Sequence, residues 1–311
     1  MYDVCVVGAG PAGLGAGMYA GRLNLRTLIV GEDAGGLIAT TTLVENYPGF
    51  VSIPGGKLAE RLLEHAAHYG VELVEERVED IKRGCNGFEV LTRSDRYEAK
   101  SIILATGTVH RKLPAKNAER FEGRGVYYCA LCDAPLFRGR RVAVVGGGDG
   151  AAKEALLLAE YAERVFILCR DESLHAEPPN LKKVEENPKI EVVNHTNVVE
   201  ILGDEVVTGV VMQRRGREER LEVEGVFVAI GGIPRSELAR KLGVEVNERG
   251  EIVTDKQART SLPGVFAAGD VTAGGFRQAI ISVAEGVTAA YSAYRYLTSE
   301  YVETRRCDGE P

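Results

Sequence analysis

The chain reads as an α/β protein of two Rossmann-like, three-layer nucleotide-binding domains, the second inserted into the first. Three observations predict this. Val4-Cys5-Val6-Val7-Gly8-Ala9-Gly10-Pro11-Ala12-Gly13 recurs as Val142-Ala143-Val144-Val145-Gly146-Gly147-Gly148-Asp149-Gly150-Ala151. Each copy has the pattern of a buried parallel strand, a glycine turn and a helix. A second apolar strand follows each copy, at 26–30 and at 165–169. Strand and helix alternating in this way build parallel sheets.

The elements follow in chain order. The first helix is predicted over 11–23 and the second over 151–162. Residues 101–107 read as a strand closing the first half, and 225–232 as its counterpart in the insert. After Pro234 the chain returns with 252–254 and 264–270. An Ala-rich amphipathic helix over 278–297 closes the fold. Pro114 and Pro234 lie near the two crossings, as suits rigid linkers. The predicted domains are therefore 1–113 and 237–311 for the first, with 114–236 inserted. The tail after Tyr301 is polar and is expected to fray.

Bulk properties narrow the function. A chain of 311 residues, 45% hydrophobic and 27% charged, has room for two cores. A net charge of −7 argues against a nucleic-acid surface. No apolar run approaches a membrane span. The N-terminus enters a strand-like segment with no basic region and no cleavage site, so a cytoplasmic protein is expected. Of the six cysteines, at 5, 85, 129, 132, 169 and 307, only 129 and 132 are close in sequence. No second pair stands at zinc-ligand spacing.

In the first fingerprint, Gly8 allows the tight turn, Gly10 lets a pyrophosphate approach and Gly13 lets the helix pack on the strand. The helix N-terminus offers free N–H groups and a positive dipole end. Glu32 stands roughly twenty residues beyond Gly13, where an acid binds ribose hydroxyls. A glycine-rich helix entry that binds nothing is the alternative. The second fingerprint is Gly146, Gly148 and Ala151, with Asp149 between them. Asp171 lies about twenty residues on, where an acid selects a 2′-hydroxyl over a 2′-phosphate. Arg170 beside it could hold a phosphate instead, and the two could also be a solvated charge pair at a strand end.

Cys129-Ala130-Leu131-Cys132-Asp133 carries the chemistry. Two cysteines at this spacing can cycle between dithiol and disulfide. A pair that opens a helix or turn gains a lowered thiol pKa from nearby N–H dipoles. Asp133 could move the proton that exchange requires. A metal site or two packed thiols are the alternatives. Tyr127 and Tyr128 precede the pair and read as core.

These residues are where the chain resembles the low-molecular-weight thioredoxin reductases, flavoproteins with an FAD domain and an inserted nicotinamide domain carrying CxxC. The resemblance covers nearly the whole length. It rests on Gly8–Gly13, on Thr40-Thr41-Thr42-Leu43-Val44-Glu45-Asn46-Tyr47-Pro48-Gly49, on Ala105-Thr106-Gly107, on the CxxC-Asp, and on Gly269-Asp270 followed by Arg277-Gln278-Ala279. It implies FAD contacts at Gly8, Gly10, Ala12, Gly13, Thr41, Asn46, Asp270, Arg277, Gln278 and Ala279, with Asp270 on a ribityl hydroxyl. The cofactor site as predicted also includes Pro11, Glu32, Gly36, Leu37, Ile38 and Val78. Ala105, Thr106, Gly107 and Gly269 complete it. The resemblance further implies a homodimer and an inserted domain that swivels on linkers near Pro114 and Pro234 to present the cysteines alternately to flavin and partner. Cys132 would sit nearer the isoalloxazine.

The departures from the family pattern bear on the electron donor. The family's second strand in the insert ends in His-Arg-Arg-Asp, with another Arg four positions after the second. Those arginines clamp the NADPH 2′-phosphate. Here the stretch is Cys169-Arg170-Asp171-Glu172-Ser173-Leu174-His175. One arginine remains, one is an acid and one is a histidine. Gly150 replaces a serine, Lys153 a glutamate, Leu37 a glutamine near the flavin ring and Ala134 a glycine. NADPH is therefore not the expected efficient donor. NADH through Asp171, ferredoxin and a reduced deazaflavin stay open.

The expected function is an FAD-dependent disulfide reductase, with Cys129, Cys132 and Asp133 catalytic, that passes two electrons to a thioredoxin-like protein. A flavin-dependent dithiol oxidase, a peroxiredoxin reductase and a non-enzymatic flavin redox sensor are the alternatives. No metal, nucleic-acid or membrane partner is expected.

Overall fold

The computed structural model describes residues 1–274 and 276–299. The expectation for the tail after Tyr301 therefore lies outside the described residues. The chain forms two compact units. One is Met1–Val109 with the described residues from Pro234 onward, and the other is His110–Ile233.

The first unit is built on a seven-stranded sheet. Its parallel part runs Glu72–Val74, Thr27–Val30, Tyr2–Val7, Arg96–Leu104 and Val265–Ala267. Alternation along the strands splits the core into two layers. Val4, Val6, Ile29 and Ile103 pack with Leu14, Ala16 and Ala289 from helices Pro11–Arg22 and Ala279–Thr298. Cys5, Val7, Leu28, Ile102 and Leu104 face the other way, toward Val90, Ile252 and Val271. The helices cover one face, and the other is packed by residues of strands Val78–Gly84 and Gly87–Thr92, the short helix Glu237–Lys241 and irregular chain around Ile252 and Val271, which gives the predicted three-layer arrangement. Three strands of this sheet were not predicted: Glu72–Val74, Val78–Gly84 and Gly87–Thr92. Val78–Gly84 and Gly87–Thr92 add to the outer half of Arg96–Leu104 as an antiparallel meander.

The second unit has a five-stranded sheet, all parallel, in the order Ile190–Val193, Arg164–Leu168, Arg141–Val145, Gly225–Val228, Val126–Tyr127. Val142 and Val144 point to helix Asp149–Tyr161, meeting Ala151, Ala155 and Leu158. Ala143 and Val145 point to the opposite face, which is closed by Val210 and Met212. Those residues come from a second unpredicted meander, Thr196–Gly203, Val207–Arg214 and Arg217–Leu221.

Predicted helix limits shift slightly. The first helix ends at Arg22, and the second begins at Asp149, two residues early, because Asp149 takes the first helical position. Among the described residues no helix is long and apolar enough to cross a membrane.

Candidate active site

In the first unit the predicted cofactor residues lie along the C-terminal edge of the parallel strands, where open α/β sheets bind ligands. Gly8 follows strand Tyr2–Val7 with φ +115, and a Cβ there would stand 2.2 Å from the Ala105 oxygen. Only glycine takes this turn. A Cβ on Gly13 would lie 1.8 Å from the Gly8 oxygen, so the helix sits directly on the turn. Gly10 is open by contrast: an added Cβ would meet only the Gly36 Cα, at 3.9 Å. Helix Pro11–Arg22 starts at Gly10 with no side-chain cap and no acid in its first turn. Ala12 is buried in the helix core. The first N–H groups of this helix are therefore left for an anion.

A second uncapped N-terminus stands across the chain at Ala279–Thr298, again with no acid in the first turn. Its N-cap residue Gln278 accepts, through Oε1, a hydrogen bond from Asn46 Nδ2 at 3.0 Å. Arg277 donates from Nη2 to Glu251 Oε1 at 2.6 Å, and Glu251 Oε2 accepts from Asn247 Nδ2 at 2.8 Å. The Asp270 Oδ1 accepts from Ser282 Oγ at 3.3 Å. Burial pushes the Asp270 carboxyl up, against the lowering influence of Ser282 and Arg277. Glu285 Oε2 accepts from the Gly269 N–H at 2.7 Å.

The remaining predicted residues frame this edge. Gly36, Leu37 and Ile38 form the 3₁₀ turn Gly36–Thr40, which Thr41 follows, and Leu37 is exposed. Thr106 donates from Oγ1 to the Arg235 oxygen at 2.6 Å, and Gly107 accepts from Arg235 N at 2.9 Å. Glu32 pairs with Arg235 at 3.5 Å. Val78 is buried at the head of the unpredicted meander. The structure thus joins Gly8, Gly10, Gly36 and Ala105 in one turn, and Asn46 with Gln278. Sequence reasoning missed Glu251, Ser282, Glu285 and Arg235. Ser282 and Glu285 share a helix face one turn apart, a spacing that could have marked them.

Two uncapped helix starts with polar groups and acids between them suit an elongated molecule with a central anion. The residues present therefore fit FAD.

In the second unit Gly146, Gly148 and Ala151 form the second turn at the end of strand Arg141–Val145. An added Cβ on Gly148 would meet nothing within 4 Å. Asp149 does not face an open site. Its carboxylate takes Lys153 Nζ at 2.8 Å, Glu177 N at 2.9 Å and Asn180 Nδ2 at 2.9 Å. Burial raises its carboxyl, but these bonds outweigh it and hold the group below the ordinary range. Asp171 lies at the end of the next strand. Its Oδ1 stands 3.4 Å from Arg170 Nε and its Oδ2 3.7 Å from His175 Nε2. Its Oδ2 would also stand 3.9 Å from a Cβ on Gly147, so the acid borders the glycine turn. His175 N donates to the Gly147 oxygen at 2.7 Å.

The cysteine pair occupies the same C-terminal edge, after edge strand Val126–Tyr127. One strand, Gly225–Val228, separates that strand from Arg141–Val145. The pair therefore stands about 10 Å across the sheet from the second glycine turn. Cys129 and Cys132 form a disulfide, their Cα atoms 5.4 Å apart. Cys129 is the N-cap of helix Ala130–Asp133, and its Sγ accepts from Cys132 N at 3.2 Å. That N–H is the dipole expected to favour a thiolate at Cys129.

The floor beneath is aromatic. Tyr127 stacks on Phe227 at 5.7 Å, and Phe137 meets both rings edge-on. Tyr127 and Tyr128 pack against the two core layers, as read from the sequence. Burial pushes the Asp133 carboxyl up. Burial also raises Tyr127, and the charge of Asp133 adds to it. Cys132 is exposed. Leu131 and Leu136, flanking it, leave 39% and 62% of their surface to solvent. Among the described residues no His, Cys, Asp and Glu group could hold a metal ion.

Comparison with known proteins agrees with this geometry. Residues 2–286 match the family model described as pyridine nucleotide-disulphide oxidoreductase. The chain is 40% identical over 301 residues to a thioredoxin reductase of Listeria monocytogenes, covering 96% of this chain and 94% of that one. It is similar to the crystal structure of the thioredoxin reductase of T. acidophilum, with a TM-score of 0.92, 40% identity, and 96% and 99% of the two chains covered. It is also similar to a ferredoxin-flavin thioredoxin reductase from Clostridium acetobutylicum, with a TM-score of 0.52, 34% identity, and coverage of 95% and 98%.

Proposed function

Since the chain belongs to the pyridine nucleotide-disulphide oxidoreductase family, in its low-molecular-weight thioredoxin reductase branch, and is an FAD-dependent disulfide reductase, we propose that it reduces a thioredoxin-like protein through Cys129 and Cys132. The observation that carries this is the disulfide at a helix start, followed by an acid with a raised pKa, with the exposed Leu131 and Leu136 on the same short segment. A protein partner needs such an apolar rim, because its own disulfide must come within bonding distance of these sulfurs.

FAD, when bound, would supply the electron pair that, with two protons, opens the Cys129–Cys132 disulfide to the dithiol. One cysteine thiolate then attacks a sulfur of the partner's disulfide. A mixed disulfide forms and the partner's other sulfur leaves as a thiolate, which takes a proton. The second cysteine attacks the mixed disulfide, restores Cys129–Cys132 and releases the second partner thiol. Asp133 holds and returns the proton for these exchanges. Burial keeps its carboxyl protonated to higher pH than usual, which suits that task.

The cofactor assignment extends to the residues themselves. The uncapped starts at Pro11 and Ala279, with Asn46, Asp270 and Gln278 between them, would hold FAD. Residues 114–236 serve as the inserted domain that turns on the two crossings, between 1–113 and 237–311. The protein acts as a cytoplasmic homodimer, a reading that rests on the family resemblance and is checked by light scattering.

NADPH is not the efficient donor in this reading. A 2′-phosphate placed at Asp171 would meet a carboxylate to which the Arg170 guanidinium and the His175 ring are already turned. Ferredoxin is the second reading, supported by the 34% identity to the clostridial ferredoxin-flavin enzyme. Anaerobic titration of the yellow protein with NADPH, NADH, reduced ferredoxin and a reduced deazaflavin separates them. Rapid flavin bleaching by low-micromolar NADPH refutes the donor reading. Multiple turnover of a thioredoxin by Cys132→Ser refutes the exchange mechanism.

A further inference from the structure

The Asp270 side of the cofactor site contains a second acid that the exchange chemistry does not use. Glu285 lies on helix Ala279–Thr298, one turn beyond Ser282. The two side chains grip consecutive residues of one turn: Ser282 Oγ donates to Asp270 Oδ1, and Glu285 Oε2 accepts the Gly269 N–H. Thr272 Oγ1 donates to the Gly269 oxygen at 2.9 Å, on the carbonyl side of the same residue.

An acid is costly here. Burial and the nearby charge of Asp270 both push the Glu285 carboxyl up, and the bond from the Gly269 N–H opposes this. A half-buried carboxylate next to another, within reach of a site for an anionic cofactor, weakens binding unless it does something else. Geometry shows what it does. Gly269 has φ +80, and a Cβ there would stand 2.8 Å from the Cβ of Ala12. The next residue along the helix, Gly286, would carry its Cβ to 2.1 Å from the Ala12 oxygen. The turn, the fingerprint helix and the closing helix therefore meet at Ala12, one residue along the helix from Glu285, with little slack for the turn to move.

We propose that Glu285 is a positioning residue for FAD: by holding the Gly269 N–H it fixes the Gly269–Asp270 turn in the conformation that presents the Asp270 carboxylate to the cofactor. Without the Glu285 carboxylate the Gly269 N–H loses its acceptor, and the turn keeps only the Thr272 and Ser282 contacts. The inference rests on FAD binding, not on the choice of donor or partner.

The test is FAD affinity, measured by equilibrium dialysis of apoprotein. The apoprotein fold is checked by circular dichroism. Loss of one buried acceptor predicts about tenfold weaker FAD binding for Glu285→Ala, the conversion of roughly 1.4 kcal/mol. Glu285→Gln keeps an oxygen for the Gly269 N–H and removes the repulsion with Asp270, so it binds FAD within about threefold of wild type. Equal affinity of Glu285→Ala and wild type overturns the inference. So does Glu285→Gln binding as weakly as Glu285→Ala, because that makes charge, not the clamp, the active property. A wild-type apoprotein that binds no FAD overturns the cofactor assignment with it. Normal wild-type binding beside an unaffected Glu285→Ala overturns this inference alone.

Discussion

Removing the Glu251 carboxylate should loosen the end of the chain that forms the Asp270 side of the site. Glu251 is only 8% exposed, yet it serves two donors, Arg277 Nη2 at 2.6 Å and Asn247 Nδ2 at 2.8 Å. Glu251→Ala leaves both without an acceptor. A hydrogen bond to a charged group contributes about 1.5–3 kcal/mol and a neutral one about 1 kcal/mol. Arg277 keeps 34% of its side chain in solvent and can partly rehydrate, which favours the lower end. The expected cost is about 2–3 kcal/mol, below the 3–5 kcal/mol of a fully buried pair. Arg277→Ala strands a buried carboxylate and should cost a similar amount. If the contact is the cause, the double variant costs less than the two single costs combined, with a coupling of roughly 1.5 kcal/mol. Urea unfolding of the four FAD-saturated proteins reads this directly. A coupling below about 0.5 kcal/mol would show that the pair is incidental and that Arg277 is held by something else.

Other outcomes follow from the same structure. Glu154 has its Oε2 sealed from solvent without a hydrogen-bond partner among the described residues, and burial pushes its carboxyl up to about 8. The native chain thus keeps a proton that the unfolded chain releases near its ordinary 4.5, so stability is full below that pH and falls as pH rises toward 8. Glu154→Gln should flatten this slope, and its urea midpoint should exceed that of wild type at pH 8.5 but not at pH 4. Leu136→Asp should raise the KM for thioredoxin roughly tenfold while leaving reduction of a small aromatic disulfide unchanged, as expected if Leu136 belongs to the protein-docking rim. Asp133→Asn should slow thioredoxin reduction by about a hundredfold and remove one limb of its pH profile. An unchanged profile would take Asp133 out of proton transfer.

The parallel cores were legible because glycine turns leave a strong local signature. Strand, turn and helix at Tyr2–Arg22 and Arg141–Tyr161 needed nothing beyond sequence spacing. The two antiparallel meanders were not legible for the opposite reason. No glycine turn leads from their strands into a helix, and charge crowds some of them, as in Val78-Glu79-Asp80-Ile81-Lys82-Arg83-Gly84 and Arg217-Glu218-Glu219-Arg220-Leu221, so no strand is assigned there from sequence. The cysteine pair announces itself by spacing. The residues that hold the cofactor side in place do not. Glu251 and Arg277 meet from segments 26 residues apart, and Asn46 and Gln278 from segments 232 apart, and no local pattern links either pair. Asp149 shows the converse: it reads as part of an open nucleotide turn, but Lys153, Glu177 and Asn180 occupy its carboxylate.

An FAD-dependent disulfide reductase requires that the disulfide and the flavin form one electron-storing unit. Anaerobic dithionite titration of the purified holoprotein counts the electrons taken up, with flavin absorbance and free thiols followed together. Wild type should accept about four electrons per chain, two for FAD and two for Cys129–Cys132, and expose a new thiol pair. Cys129→Ser and Cys132→Ser should each accept about two. A wild-type protein that stops at two electrons with its disulfide intact would contradict the central claim.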